Sequence, residues 1–461
     1  MTQSTNQSVL ELIGNTPMVK ISKIDTGVCE LYVKLENQNP GGSIKDRIAL
    51  TMIEAAEKSG SLKPGGTIVE ATAGNTGLSL ALVARQKGYK LVLVIPDKMS
   101  REKIFHLKAM GAEVLLTRSD VGKGHPEYYQ DVAERISKER GAFYVNQFAN
   151  PANPEAHEVG TAPEIFEQMD GRIDAIVAGV GSGGTLTGLG RYFAKHSPHT
   201  EMVLADPAGS ILCEVVEKGK IISTPGSWLV EGVGEDFIPP NCDLSRVKHA
   251  ETITDAESFD MARSLLINEG IFGGSSSGTL VAAAIKYCKK QTKPKRVVTF
   301  ICDSGNKYLS KMYNDYWMTD QGFVKKETYG DLRDVISRRQ WENAVVSVNP
   351  NDTLAIAMAR MKLYDISQLP VMQGNTIVGM IDESDVILSV LDSEKAQSYH
   401  FKKTVGEAMC TRLVTLSPKA AIKDLLPIFD QGQVAIVVDN NQFLGLITKI
   451  DLLNYLRQKQ H

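Results

Sequence analysis

Lys45 stands three residues past a glycine pair in the stretch NPGGSIKDRI (39–48), where a helix is expected to begin. The following run, DRIALTMIEAAEKSG, spaces its apolar residues as a helix does and stops at Gly60. A helix start disfavours positive charge, because the positive end of the macrodipole lies there. Two readings follow: a solvated lysine after a turn, or an amine kept neutral and nucleophilic. Three glycine-rich segments bear on the choice. GVGSGG (179–184) follows an apolar run and precedes a helical pattern, so its successive N–H groups form a nest for a phosphate. It also matches the GxGxxG of dinucleotide folds, with Asp206 about twenty residues beyond the loop as a candidate ribose-binding acid. ATAGNTG (71–77) and FGGSSSG (272–278) are the other two, and each also reads as a capped turn.

A nicotinamide cofactor leaves Lys45 and ATAGNTG without a task. Pyridoxal phosphate uses every part. Its aldehyde needs a lysine and its phosphate a nest of N–H groups, while its ring nitrogen needs a partner that sets how strongly the ring draws electrons. A serine from FGGSSSG facing an unprotonated ring nitrogen suits β-elimination better than transamination.

The elements that must position these groups are legible as alternation. TIVEAT, KLVLVIP, DAIVAGV and RVVTFIC are short apolar runs, each leading to a helical pattern. Buried runs of this kind between helices indicate parallel sheets wound on both faces, with ligands beyond the carboxyl ends of the strands. The glycine segments fall there.

Composition excludes several classes. At 461 residues the chain holds two or three domains, and 43% hydrophobic with 23% charged residues is ordinary for a globular protein. A net charge of −3 and no basic block with interleaved aromatics argue against nucleic acid. Six scattered cysteines without a CxxC pair give no metal site and no disulfide framework. The N-terminus is unlike a signal peptide and no apolar run is long enough to span a membrane, so a cytoplasmic protein is expected.

The C-terminal part repeats. LPVMQGNTIVGMIDESDVI (369–387) superposes without gaps on AIVVDNNQFLGLITKIDLL (435–453), pairing Gly379 with Gly445 and Asp385 with Asp451 at a period of 66 residues. VVSVNP (345–350) likewise pairs with LVTLSP (413–418). Each unit reads strand, helix, strand, turn, strand, helix. The expected organisation is a core over 1–320, a linker over 321–334, repeats over 335–392 and 405–461, and a polar joining segment over 393–404.

LIGNTPMV (12–19), NPGGSIKDRI, ATAGNTG, NQFANPANPEAH (146–157), GVGSGGTLTGLGR, LADPAGS (204–210), EGVGEDFIP (231–239) and CDSGNKYLSKMYNDYW (302–317) occur in one order. Together they resemble the cystathionine β-synthase family of pyridoxal-phosphate enzymes, across essentially the whole chain. The repeat is similar to a tandem CBS (Bateman) module. The resemblance implies an α/β fold of type II, like the tryptophan synthase β subunit, with two open twisted sheets covered by helices on both faces.

By that resemblance Lys45 would carry the cofactor covalently and act as the catalytic base. Gly181, Ser182, Gly183, Gly184 and Thr185 would cradle its phosphate. Asn75 would bond its ring oxygen and Ser275 would face its ring nitrogen. Thr72, Gly74, Thr76 and Gln147, with Asn75, would hold the amino-acid substrate, and Gly232 and Glu235 would border the second one. The implied reaction condenses serine with homocysteine to cystathionine and water, with hydrogen sulfide from cysteine as a side activity. A homo-oligomer, dimer or tetramer, is implied.

The chain departs from the family at several points. It starts almost directly on the core, without the Cys/His-containing haem segment of vertebrate members, so no haem is expected. Ala73 replaces a common serine, and Glu235 stands where vertebrate members have tyrosine. The second repeat keeps a Gly-x-x-Thr-x-x-Asp pattern in Gly445, Thr448 and Asp451, whereas the first carries Asp382 at the threonine position. An adenosyl ligand, S-adenosylmethionine rather than ATP, is expected at Thr448 and Asp451; the alternative is a module that only supports folding. Competing readings are an O-acetylserine sulfhydrylase with a regulatory tail and a nucleotide-sensing module with an inactive enzyme domain.

Overall fold

The computed structural model describes residues 5–459 apart from 73, 98–100, 123, 326 and 392–400. Ala73 and most of the joining segment after the first repeat therefore lie outside the described residues. The chain divides into two compact units, Met1–Asn314 and Asp315–His461.

The first unit holds two open sheets. In chain order the strands are β1 (Met18–Lys20), β2 (Glu30–Leu35), β3 (Thr67–Ala71), β4 (Lys90–Pro96), β5 (Glu113–Thr117), β6 (Phe143–Tyr144), β7 (Ala175–Gly179), β8 (Glu201–Pro207), β9 (Val247–Ile253) and β10 (Arg296–Ile301). One sheet runs β5-β4-β3-β6, the other β1-β2-β10-β7-β8-β9. Every pairing is parallel except β1 with β2. Alternation within the four-stranded sheet explains its two-sided cover. Ile68, Leu91, Leu93 and Ile95 enter one apolar cluster, while Val69, Ala71, Val92 and Val94 enter another on the opposite face.

The turn before Lys45 is fixed by a close approach. Gly41 N–H donates to Asp46 Oδ2 at 2.5 Å, and a Cβ on Gly41 would lie 2.4 Å from the other oxygen of that carboxylate. Asp46 thus sits in the first turn of the helix Lys45–Ser59 and satisfies an N–H just outside it. Gly60 ends the helix in the left-handed conformation, with φ 74°.

The second unit holds two small sheets, Gln368–Gln373 with Thr376–Asp382, and Thr415–Leu416 with Ala435–Asp439 and Gln442–Ile447. The first strand expected of the leading repeat is reduced to one bridge, Val348 with Val371. The two repeats exchange their leading segments. Leu332, Val335 and Ile336, where the first repeat begins, pack among Leu425, Phe429, Val437 and Ile447 of the second. Val405, Ala408 and Met409, where the second begins, pack against Leu354, Leu369 and Ile381 of the first. The stretch 321–334 therefore carries Leu332, only 1% exposed, into a core. No helix among the described residues is long and apolar enough to cross a membrane.

Candidate active site

A cavity of about 580 Å³ opens at the carboxyl ends of strands from both sheets of the first unit. Lys45, Thr72, Gly74, Asn75, Thr76, Gln147, the loop 181–185, Gly232 and Glu235 all line it. Ser275 stands just behind, 2% exposed at the head of the helix Ser275–Lys289, while Ser276 reaches the wall. Thr448 and Asp451 belong to the other unit.

Lys45 Nζ has no hydrogen-bond or ion-pair partner among the described residues, and burial pulls its pKa below the ordinary lysine value. Asp303, Glu235 and Cys302 oppose that shift without overcoming it. The Cys302 thiol is itself pushed up to about 12 by burial, so at neutral pH it carries no charge. The Lys45 shift is in the direction of the neutral amine that a nucleophile or base requires.

The loop 181–185 has the shape of an anion cradle. A Cβ on Gly181 would lie 2.6 Å from Gly232 O, and one on Gly184 would lie 1.9 Å from Asn153 Oδ1, so side chains are excluded where the backbone must come close. The helix Gly184–His196 starts here, and its first N–H groups have no intrahelical acceptor. Asn153 Nδ2 holds Ser182 Oγ at 2.9 Å, and Thr185 Oγ1 lies 3.1 Å from His157 Nε2.

On the opposite lip, Thr72 Oγ1 accepts from Gly74 N–H at 3.1 Å and from Gly77 N–H at 3.3 Å, shaping the loop after β3. Thr76 Oγ1 donates to Gln147 Oε1 at 2.7 Å, and Gln147 Nε2 donates to Ala71 O at 3.2 Å. Behind them Glu70, fully buried in β3, has its carboxyl raised to about 8 by desolvation.

Several residues here were not singled out from the sequence. Asp303 accepts from Asn75 Nδ2 at 2.7 Å and from Tyr308 OH at 2.7 Å, and Lys307 Nζ donates to Asn75 Oδ1 at 3.0 Å. Glu231 bridges Lys103 at 2.5 Å and Lys311 at 2.8 Å, while its backbone N–H donates to Ser275 Oγ at 3.0 Å. Desolvation works to raise the Glu231 pKa, but the two lysines hold it below the usual carboxylate range. Their signal was position alone: CDSGNKY and EGVGEDF both stand at the mouth of the fold. Asp206, by contrast, accepts from Cys213 N–H at 2.7 Å and does not line the cavity, which removes the ribose-binding role.

A phosphate nest, a dehydrated lysine and a second loop of N–H donors around one cavity fit pyridoxal phosphate and an amino acid. Sequence comparison agrees. The profile of the pyridoxal-phosphate dependent enzyme family matches residues 9–303, and that of the CBS domain matches 332–392 and 405–458. The chain is 36% identical to the cystathionine beta-synthase of Dictyostelium discoideum, over 98% of this chain and 93% of that one. It is 35% identical to the cystathionine beta-synthase of Rattus norvegicus, over 98% and 86%. The chain belongs to the cystathionine β-synthase family. Among solved structures, a hydrogen sulfide-producing enzyme from Fusobacterium nucleatum superposes with a TM-score of 0.62 at 39% identity, covering 66% of this chain and all of that one.

In this cystathionine β-synthase family chain the expected nucleotide residues form a capping box. Thr448 Oγ1 donates to Asp451 Oδ2 at 2.6 Å, Thr448 N–H donates to the same oxygen at 2.8 Å, and Ser337 Oγ donates to Oδ1. Asp382 and Asp385 repeat the arrangement through backbone bonds of 3.0 and 2.8 Å.

Proposed function

We propose that this enzyme condenses L-serine with L-homocysteine to give L-cystathionine and water. Bound pyridoxal phosphate supplies the electron sink that lets the Cα–H and Cβ–O bonds of serine break. Lys45 would hold the cofactor until the serine amine takes its place, Gly181–Thr185 its phosphate, Asn75 its ring oxygen and Ser275 its ring nitrogen. Thr72, Gly74, Asn75, Thr76 and Gln147, which line the cavity, would orient the serine carboxylate through backbone and side-chain donors.

The freed Lys45 amine takes the Cα proton and passes one to the departing hydroxyl, which leaves as water. The homocysteine thiol then gives its proton to Lys45 as its sulfur bonds to Cβ on the side bordered by Gly232 and Glu235, and Lys45 passes that proton to Cα. The carrying observation is Lys45: its amine is unpaired and dehydrated in the cavity that holds both anion loops.

The test is an absorption spectrum of the purified protein, followed by serine and then homocysteine. A visible-edge band that shifts with serine, with cystathionine in the product, supports the reading; its absence overturns it. The likeness to a hydrogen sulfide-producing enzyme favours a second use of the same site, with cysteine as first substrate and sulfide as leaving group. We further propose a cytoplasmic homo-oligomer and an adenosyl effector, S-adenosylmethionine, at Thr448 and Asp451.

A further inference from the structure

His157 sits 1% exposed between two threonines, with Thr161 Oγ1 at 2.9 Å from Nδ1 and Thr185 Oγ1 at 3.1 Å from Nε2. Thr161 and His157 share a π-helical turn, His157–Thr161, in which the His157 carbonyl accepts from Ala162 N–H. The ring cannot swing away. The helix Gly184–His196 crosses so close that a Cβ on Gly188 would lie 2.7 Å from His157 Cβ.

A hydrogen-bond census decides which ring nitrogen carries the proton. Thr161 is fully buried, and its hydroxyl has one partner among the described residues, His157 Nδ1. A buried hydroxyl must donate somewhere, so the Thr161 proton points at Nδ1, which then has no hydrogen of its own. A neutral ring so arranged carries its hydrogen on Nε2 and donates it to Thr185 Oγ1. The ring is neutral, because burial first, and then Arg47 and Lys45, push its pKa well below the ordinary histidine value. Thr185 lines the cavity, and with its oxygen already accepting, its own proton is free to be donated there.

We infer that Thr161 is a positioning residue: through His157 it makes Thr185 an obligate hydrogen-bond donor to the phosphate held by the glycine cradle. The inference rests on the proposed reading that this cradle holds a phosphate. It assigns a task to a side chain that touches neither cofactor nor substrate.

The test compares Thr161→Val, Thr161→Ser, Thr185→Val and the Thr161→Val/Thr185→Val pair, each checked for a cooperative melt. Apoprotein is titrated with pyridoxal 5′-phosphate and separately with inorganic phosphate. The His157 tautomer is read by ¹⁵N NMR of histidine-labelled protein, assigned with His157→Gln. Wild type should show the Nε2–H form alone, and Thr161→Val should lose that bias and show both tautomers. Thr161→Val should weaken both ligands about tenfold, the worth of one hydrogen bond to a charged acceptor. Thr161→Ser should restore them, and adding Thr161→Val to Thr185→Val should cost nothing more. A folded Thr161→Val protein with unchanged phosphate affinity, or an Nδ1–H tautomer in wild type, overturns the relay even if the enzyme binds its cofactor normally. A wild type that binds inorganic phosphate in a Thr161-dependent way but no pyridoxal phosphate upholds the relay and overturns the cofactor assignment.

Discussion

Asn75 and Asp303 are joined across 2.7 Å, which ties the loop after β3 in one sheet to the end of β10 in the other. Asp303 also accepts from Tyr308 OH, and its backbone O accepts from Gly274 N–H at 3.0 Å. One carboxylate thus steadies Asn75 and the approach to Ser275, the two side chains proposed to read the cofactor ring. Asp303→Ala should leave the half-buried Asn75 amide and the buried Tyr308 phenol without this acceptor, at a cost of up to about 1–3 kcal/mol each. The expected outcome is a folded, less stable protein whose cofactor band is shifted and whose turnover falls about tenfold or more. Thermal melts and absorption spectra of the variant check it.

Glu70 gives a pH dependence of known sign. Its folded pKa, raised to about 8 by desolvation, lies above the unfolded carboxylate value, so the folded state keeps a proton the unfolded state has lost. Stability from this group falls as pH rises from about 4.5 towards 8 and is level beyond. Glu70→Gln should remove that fall and become the more stable of the two at alkaline pH. Denaturant unfolding of both proteins at pH 5, 7 and 9 measures it. A constant difference across the series would contradict it.

Glu164 has the opposite sign. Desolvation works against its charge, but Arg47, bonded to it at 2.7 Å, and Lys34, also at 2.7 Å, hold its pKa down to about 2. Its contribution is complete above the unfolded carboxylate pKa and is lost as pH falls through the acid range towards 2. Glu164→Gln should flatten that acid limb. It should also destabilise the protein at neutral pH by about 3–5 kcal/mol, since buried Lys34 loses its only carboxylate partner among the described residues. Urea midpoints between pH 3 and 7 give both effects.

Leu332 lies where the first repeat begins yet in the core of the second. Leu332→Ala should cost about 2–5 kcal/mol, the range for a buried leucine cut to alanine. The loss should appear in hydrogen exchange of Ala435–Asp439 and Gln442–Ile447 before it reaches Gln368–Gln373. Protection lost first around Gln368–Gln373 would contradict the exchange of leaders.

Lys45, the 179–184 loop and ATAGNTG were legible because their chemistry is local. A turn, a helix mouth and a small residue sit side by side in sequence, and each constrains the next. Asp303, Tyr308, Lys103 and Glu231 were not, because their partners are remote: Asn75 and Asp303 stand 228 positions apart, Lys103 and Glu231 128. No periodicity or turn rule connects such pairs; only the folded sheets do. Alternating apolar runs announced the parallel sheets, since both faces are buried. The exchanged leaders were illegible for a related reason: the charged stretch 321–334 reads as a linker, and nothing local shows that Leu332 enters a remote core. At Thr448 and Asp451 the same three-residue spacing serves a helix cap and a nucleotide motif alike, so the pattern could not separate them.

The exchange of leading segments also bears on where the module can be divided. A lone repeat carrying its own leader would have its apolar surface uncovered, with its leader shaped for a neighbour's core rather than its own. A cut between the repeats would therefore leave each half with a leader that lacks its core and a core that lacks its leader.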